Sequence, residues 1–500
     1  MELVFQENQM EYLEQTLFET VTQEETTEII VPDSFPDVNR VVDSFGTVIL
    51  REKEVSPGCV NLSGGVKAGV LFVPEGSAQP QLLEAYLPFT VRKEHDAIHQ
   101  DARVQCVCRI KEIDARMLNS RKVLLRASLS CRVVVYDKRQ AVLYDAEQEN
   151  SDLCLKRATV PMTVAVETGE KTFTINDELD LPDGTPAVDR VLKALYRVEV
   201  TDKKMIGNKA VFKGDLHIHT LYLGMDDSCN VYEGVLPFSQ YVELGQELDE
   251  HEVALDMVFT GAEIEPDGQL ECHRLLVALN LLVQCTVTST QQLTYIEDAY
   301  GLTQSLEPQW QTERITAQLD AEEFADTLQA PLSVSAKSVL DAWCYAADVM
   351  QQRNGERTAL QYGVCCNVLY YDENGDLQGK IVRVNKTVDM ALSSAAYCRP
   401  VTQITGALTT RPGGDAEVKC PVVTKAMCFA QQEFRGICGG SMQPLAPEPE
   451  RPSVILRLVG QDESLWSVAK SYRTTVDNIL QANDLTAEQR VGEQMLLIPM

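Results

Sequence analysis

Several features that usually carry chemistry are scarce or missing in this chain. Histidine occurs six times in 500 residues and tryptophan three times, and no histidine follows His273. A metal centre built on imidazoles therefore has few ligands to draw on. There is no CxxC pair, which removes the zinc ribbon and the thioredoxin-like motif. No Gly-rich lysine loop is present to cradle a phosphate: "RPGGDAEVK" (411–419) has the wrong spacing, and "GGSMQ" (439–443) is not a nucleophile elbow. The most apolar run, "LLVALNLLVQCTV" (275–287), falls short of the ~20 residues that cross a bilayer and reads as a strand. "MELVFQENQMEYLEQTLFET" (1–20) lacks a basic n-region and an unbroken apolar h-region, so no secretory signal is read there.

Positive charge is also in short supply. Lysine and arginine number 44 against 74 acidic residues, a net charge of −30. Long-range repulsion then disfavours nucleic acid and anionic membranes as partners and favours a basic protein surface. Cysteine is plentiful at 15, but the count is odd and the residues are scattered, the tightest groups being Cys106/Cys108 and Cys365-Cys366. Cysteines placed singly within apolar stretches are expected to be buried thiols in a reducing cytoplasm, not a disulfide framework. A chain of this length, 44% hydrophobic and 24% charged, is expected to hold several globular domains.

Self-similarity is what the sequence has in abundance. "PDVNRVV" (36–42) returns as "PAVDRVL" (186–192), and "LSGGVKAGVLF" (62–72) as "FKGDLHIHTLY" (212–222), both 150 residues later. A more diverged third copy supplies "SAKSVLDAW" (335–343) and "LQYGVCCNVLYY" (360–371). "SRKVLLRASLSCRVVV" (120–135) likewise resembles "CHRLLVALNLLVQCTV" (272–287) and, more faintly, "EVKCPVVTKAMCFA" (417–430). Each copy reads as a short helical turn near a proline, as at Pro186, followed by short alternating strands punctuated by "VSPGC", "MIGNK", "EPDG" and "DENGD". The fold class expected is mainly β: tandem antiparallel sandwich- or barrel-like modules followed by a small βααβ domain. The divisions are 1–27, 28–150, 165–300, 310–440, a proline-rich linker 441–453 and a tail domain 454–500. Residues 1–27 read as an acidic amphipathic helix with Leu3, Phe5, Leu13, Leu17 and Phe18 on one face. Residues 305–330 read as a carboxylate-rich connector with some helix.

The string "GDLHIHTLY" (214–222) matches the first metal-binding motif of PHP phosphoesterases, and on a strand Asp215, His217 and His219 would share a face. The later histidine and carboxylate motifs that such a metal site needs are missing, and the sister strands carry "GVKAGVLF" and "GVCCNVLY". The expectation is therefore a structural strand, with no metal, no cofactor and no catalytic residue. Val70, Phe72, Leu221, Tyr222, Leu369 and Tyr370 are expected to matter for folding.

In the tail, Ser464 and Thr475 can cap two helices with apolar faces, and "ILRLV" and "QMLLIP" read as strands. Leu465-Trp466, Val468-Ala469, Tyr472, Val476, Ile479-Leu480, Asn483, Leu485, Gly492, Leu496, Ile498 and Pro499 follow the LysM pattern, and the tail resembles a LysM domain. Many LysM domains bind N-acetylglucosamine chains through a Gly-Asp-Ser/Thr-Leu loop. Here the loop is Asp462-Glu463-Ser464-Leu465, which puts a side chain and a charge where a sugar would approach the backbone.

Repeats followed by a LysM domain resemble the SPOCS-domain proteins of spore-forming Firmicutes. The residues that carry the resemblance are Pro36-Asp37-Val38, Pro186-Ala187-Val188, and the strands of Gly64, Gly214 and Gly363 that end at 71–72, 221–222 and 369–370. The resemblance implies a non-enzymatic spore-coat morphogenetic scaffold in the mother-cell cytoplasm, at the forespore surface. Its LysM domain would dock a SpoIVA-like coat ATPase, and the chain would meet other coat proteins. The docking residues expected are Asp462, Glu463, Ser464, Trp466, Lys470, Arg473 and Asn483. The alternative is a LysM protein that binds peptidoglycan in wall or cortex through the same residues.

Overall fold

A computed structural model describes the chain except for residues 1, 147–151, 249–250, 269–270, 348, 356, 392–395, 406–407, 414–415, 446–451, 462 and 486–493. Nearly every described element is a β-strand, and all the strand pairings are antiparallel. The first module comprises β1 (Glu2–Val4), the long β2 (Gln6–Ile30), a meander of β3 (Val38–Ser56), β4 (Cys59–Pro74) and β5 (Gln81–Glu94), and a hairpin of β6 (Arg103–Asn119) and β7 (Lys122–Asp145). Strand β7 returns to pair with β2 along almost its whole length. The second module repeats the plan with β8 (Leu153–Asp180), the meander β9 (Val188–Ile206), β10 (Lys209–Gly224) and β11 (Cys229–Glu243), and the hairpin β12 (Glu252–Pro266) and β13 (Arg274–Gly301). The third has β14 (Gln304–Pro331), then β15 (Ser338–Ala346), β16 (Met350–Asn354), β17 (Arg357–Tyr371) and β18 (Leu377–Ala391). It closes with β19 (Ala396–Ile404), β20 (Thr409–Arg411) and β21 (Glu417–Pro444). Here β15 and β16 share the place of one meander strand against β17, and β19 and β20 share one hairpin strand against β21.

Within a module, the meander packs face to face on the long hairpin. In the first, Val60, Leu62, Val66 and Phe89 of the meander meet Val123, Leu125 and Leu129 of β7, all essentially inaccessible to water. That is the layered burial that gives an antiparallel sheet its stability. The three modules then close around a shared axis. Met10, Tyr12, Ala141 and Leu143 of the first module pack with Met162, Val164, Leu293 and Tyr295 of the second and Ile315, Ala317 and Phe434 of the third. A second shared cluster joins the meanders through Val42, Phe45 and Leu71, Leu192, Leu195 and Leu221, and Leu369 and Leu377. Single bridges, Leu13 with Ala165 and Gln318 with Thr163, tie the three long hairpins into one eleven-stranded sheet.

Four expectations need correction. Residues 1–27 form strands and not a helix. The apolar spacing that imitates a helical face arises because a β-bulge between Gln15 and Leu17 reverses which side of β2 is inward. Residues 305–330 are the interior of β14, a full hairpin strand paired with β21. The proline at 186 follows a turn, not a helical one, and Val188 enters a strand directly. Finally, Cys344 and Cys366 sit opposite each other on β15 and β17 and are joined by a disulfide. The remaining thirteen cysteines are free, and most are buried. Of the linker 441–453, Ser441–Pro444 belong to β21, and residues 446–451 lie outside those described.

The chain ends in a βααβ unit of β22 (Val454–Leu458), α1 (Leu465–Tyr472), α2 (Val476–Ala482) and β23 (Met495–Pro499). Among the described residues, no helix is long and apolar enough to cross a membrane.

Candidate functional site

The tail domain is small, and its local chemistry accounts for most of the predicted docking residues. Ser464 is the N-cap of α1 and accepts a hydrogen bond from the Ser467 N–H at 3.1 Å; Thr475 does the same for α2 with the Asn478 N–H at 3.0 Å. Leu465, Val468, Ala469 and Ile479 face inward onto Leu496 and Ile498 of the sheet. Glu463 is held by the Gly460 N–H at 2.9 Å and by Arg457 at 2.7 Å, which pins the loop before α1. Asn483 latches β23 in place: its amide donates to the Ile479 and Leu497 carbonyls and its oxygen accepts from the Leu497 N–H, each at 2.7 Å. Arg473 ends α1 in the left-handed conformation, with φ of 54°. Asp462 lies outside the described residues.

Trp466 and Lys470 have a different role: one helical turn apart, they grip the body of the protein. The Trp466 indole N–H donates to Asp298 of β13 at 2.8 Å, and the Lys470 ammonium lies 2.6 Å from the same carboxylate. The Tyr300 ring meets the Trp466 ring edge to face at 4.9 Å, and its hydroxyl donates to the Thr474 carbonyl at 2.7 Å. Burial works against ionisation of Asp298, but its bonds to Lys470 and Trp466 outweigh this and hold the carboxyl below its usual range. Burial, aided by Cys154, pushes the Tyr300 phenol well up. The apolar seam is completed by Cys154 and Leu302. The structure thus uses two of the expected docking residues to seat the tail domain on the end of the second module's long hairpin.

A second site lies where the three meanders meet; sequence reasoning set His219 aside and missed its partners. On β3, β9 and β15 the register skips one residue at the same place, so that Val42, Leu192 and Leu340 bulge out. The next residues, Asp43, Lys193 and Asp341, stand opposite Leu71, Leu221 and Leu369 and so are equivalent positions of the three modules. All three side chains are almost wholly buried. The Lys193 ammonium lies 2.7 Å from Asp43 and 2.9 Å from Asp341, bridging the first and third modules from the second. His219 completes the cluster. Its Nε2 is 2.5 Å from Asp341, its Nδ1 is 3.3 Å from Glu233, and its ring lies 5.4 Å from that of Trp343.

The position of His219 is also shared. By register its counterparts are Gly69 and Asn367. His219 of the second module reaches Asp341 of the third, and Asn367 of the third donates to Asp43 of the first at 3.2 Å and to the Ser44 carbonyl at 2.7 Å. At Gly69 a Cβ would stand 2.3 Å from the Phe45 ring, so no side chain fits there. His219 is buried, which disfavours its protonation, yet its bonds to Asp341 and Glu233 prevail and raise its pKa. Asp341, though buried, is held well below the usual carboxylate range by Lys193 and His219. Chemically this is a buried polar core in which the charged groups answer one another.

The other histidine of "GDLHIHTLY" has a different partner: His217 lies 3.2 Å from Glu199 on the neighbouring strand. Among the described residues, no group of three or more histidine, cysteine or acidic side chains is placed to hold a metal ion. The core positions Val70, Phe72, Leu221, Tyr222, Leu369 and Tyr370 are all buried.

Two family models match the chain. Residues 187–266 match the SipL, SPOCS domain family, and residues 458–489 match the LysM domain family. The first match covers the meander of the second module and all of β12, including Lys193 and His219; the second covers α1 and α2. The chain therefore combines a SPOCS domain with a C-terminal LysM domain in a mainly β architecture. No curated protein and no solved structure gives a match to it.

Proposed function

We propose that this chain is a non-enzymatic scaffold of spore-coat assembly, which works at the forespore surface from the mother-cell cytoplasm. The observation that carries this reading is the pairing of a SPOCS domain with a LysM domain in one chain. Two physical features support it. Three modules are locked around shared apolar and polar cores, which suits a rigid platform. The LysM domain is seated on that platform by Trp466 and Lys470, so its remaining surface is presented in a fixed orientation. In this reading the LysM domain docks a SpoIVA-like coat ATPase, and the modules meet other coat proteins. Such docking would use Glu463, Arg473 and Asn483 and would involve Trp466 and Lys470 only if the contact with Asp298 opened.

The test is co-purification from sporulating cells. Loss of the coat ATPase when residues 452–500 are deleted is the expected result; its retention would remove the LysM docking role. The LysM match also favours a second reading, binding to peptidoglycan of wall or cortex. Sedimentation of the intact chain with purified peptidoglycan separates the two, since the scaffold reading expects the chain to remain in the supernatant.

A further inference from the structure

The tail domain has one face that none of its described contacts explains. Strands β22 and β23 turn Ile455, Leu496 and Ile498 inward, and on the other side the chain is apolar as well. Three rungs lie directly across from one another: Val454 opposite Pro499, Leu456 opposite Leu497, and Leu458 opposite Met495. On a two-stranded sheet with one buried face, the outward positions would ordinarily be polar. Here Leu456 is 59% exposed, Leu458 60%, Met495 54%, Val454 52% and Leu497 42%. No outward position of the sheet carries a charge. The helical side of the domain is already engaged with Asp298 and Tyr300, so the sheet is the side left open.

We propose that this sheet face is a dimerisation surface, packing against the same face of a second copy of the chain. Three observations select that occupant. The face is uncharged and apolar, so a partner that recognises charge finds nothing to hold, whereas an identical apolar face complements it. Its middle rung, Leu456–Leu497, has one similar rung on either side, so a twofold axis through that rung lays apolar rungs on apolar rungs. With Met500 included, the face leaves roughly 500 Å² open per copy, so a pair would cover about 1,000 Å², the threshold of a specific interface and more than a scatter of surface leucines supplies. The electrostatics fit as well. The whole chain carries −30, but the segment 454–500 holds four basic and six acidic residues. Two copies therefore meet through a segment whose net charge is only −2.

Sedimentation velocity on the full-length chain across the micromolar range tests this. The expected result is a monomer–dimer equilibrium that tightens as salt is added, because salt screens the repulsion between the two acidic bodies. Leu456→Asp is expected to weaken the dimer by more than about tenfold, since it would bury an unpaired charge. Mixing Leu456→Asp with Leu456→Lys should restore it, because the twofold brings the two positions close together. Met495→Asp serves as a second variant should circular dichroism show Leu456→Asp misfolded. A wild-type chain that stays monomeric throughout overturns the proposal. So does a dimer that survives the Leu456→Asp/Leu497→Asp double substitution, or a monomeric chain that uses this face for a different protein.

Discussion

The Lys193 ammonium lies 2.7 Å from the Asp43 carboxylate, although the two residues are 150 positions apart and occupy the same place in successive modules. Three like modules closing on an axis would bring three like side chains together, and three buried charges of one sign could not coexist. Divergence has resolved this by placing a lysine between two aspartates, Asp43 and Asp341. Removing the cation leaves the buried Asp43 carboxylate without a counter-charge and Asp341 with His219 alone. Lys193→Ala is therefore expected to destabilise the chain by ~3–5 kcal/mol, the range for breaking a buried pair from one side. Urea denaturation monitored by circular dichroism measures this; a midpoint that does not move would show that the cluster contributes nothing net.

The same cluster sets a pH window. Asp341 titrates below its unfolded value, so its stabilisation is fully present above about pH 3.9 and is lost as pH falls through the lower folded value. His219 titrates above its unfolded value, so its contribution is fully present below about pH 6.5 and is lost as pH rises through the higher folded value. Both are fully in force only between these limits. The stability difference between wild type and His219→Gln should be largest there and shrink toward alkaline pH. Thermal melts of the two proteins at several pH values check it, and a difference that grows above neutrality would contradict the assignment.

The repeats were legible because each copy keeps its apolar alternation, so that Phe72, Tyr222 and Tyr370 fall at matching registers. The LysM tail was legible because its caps and inward residues sit at local spacings, Ser464 before Leu465 and Thr475 before Val476. The long strands were harder. In β2 and β14 a bulge switches the inward face partway along, and the outward face is crowded with carboxylates, so neither period 2 nor period 3.6 persists. The central cluster was missed for another reason. Asp43, Lys193 and Asp341 are not all of one residue type, and His219 stands where its sisters are Gly69 and Asn367. The available signal was a charge lodged in the apolar setting of "VVDSF", "VLKAL" and "VLDAW", visible only when the copies are laid over one another. The engagement of Trp466 with Asp298 had no local signature, because its two halves are 168 residues apart.

That engagement makes a separate prediction. In Asp298→Ala, Lys470 loses its ion partner and the Trp466 indole loses its acceptor. The lysine side chain is 44% exposed, so solvent discounts the ion pair to below about 1 kcal/mol, and the lost indole bond adds about as much. The body should stay folded while the tail domain is held less tightly. Faster amide exchange in α1 and a red-shifted tryptophan emission are expected; unchanged values for both would mean that the Tyr300 seam alone fixes the domain.

Leu465 tests how much stability the tail domain holds. It is 4% exposed and packs with Val468, Ile479, Leu496 and Ile498 in a core of only a few side chains. Truncating a buried leucine costs ~2–5 kcal/mol, and a domain of this size has only a few kcal/mol to lose. Leu465→Ala should therefore abolish amide protection in α1, α2 and the sheet of β22 and β23. Protection of the long hairpins should persist, because their cores, such as Met162, Ile315 and Phe434, are built without the tail. Retained protection in α1 would refute the estimate. Loss of protection in β13 as well would show that the seam from Asp298 to Tyr300 couples the two units more strongly than its two side-chain anchors imply.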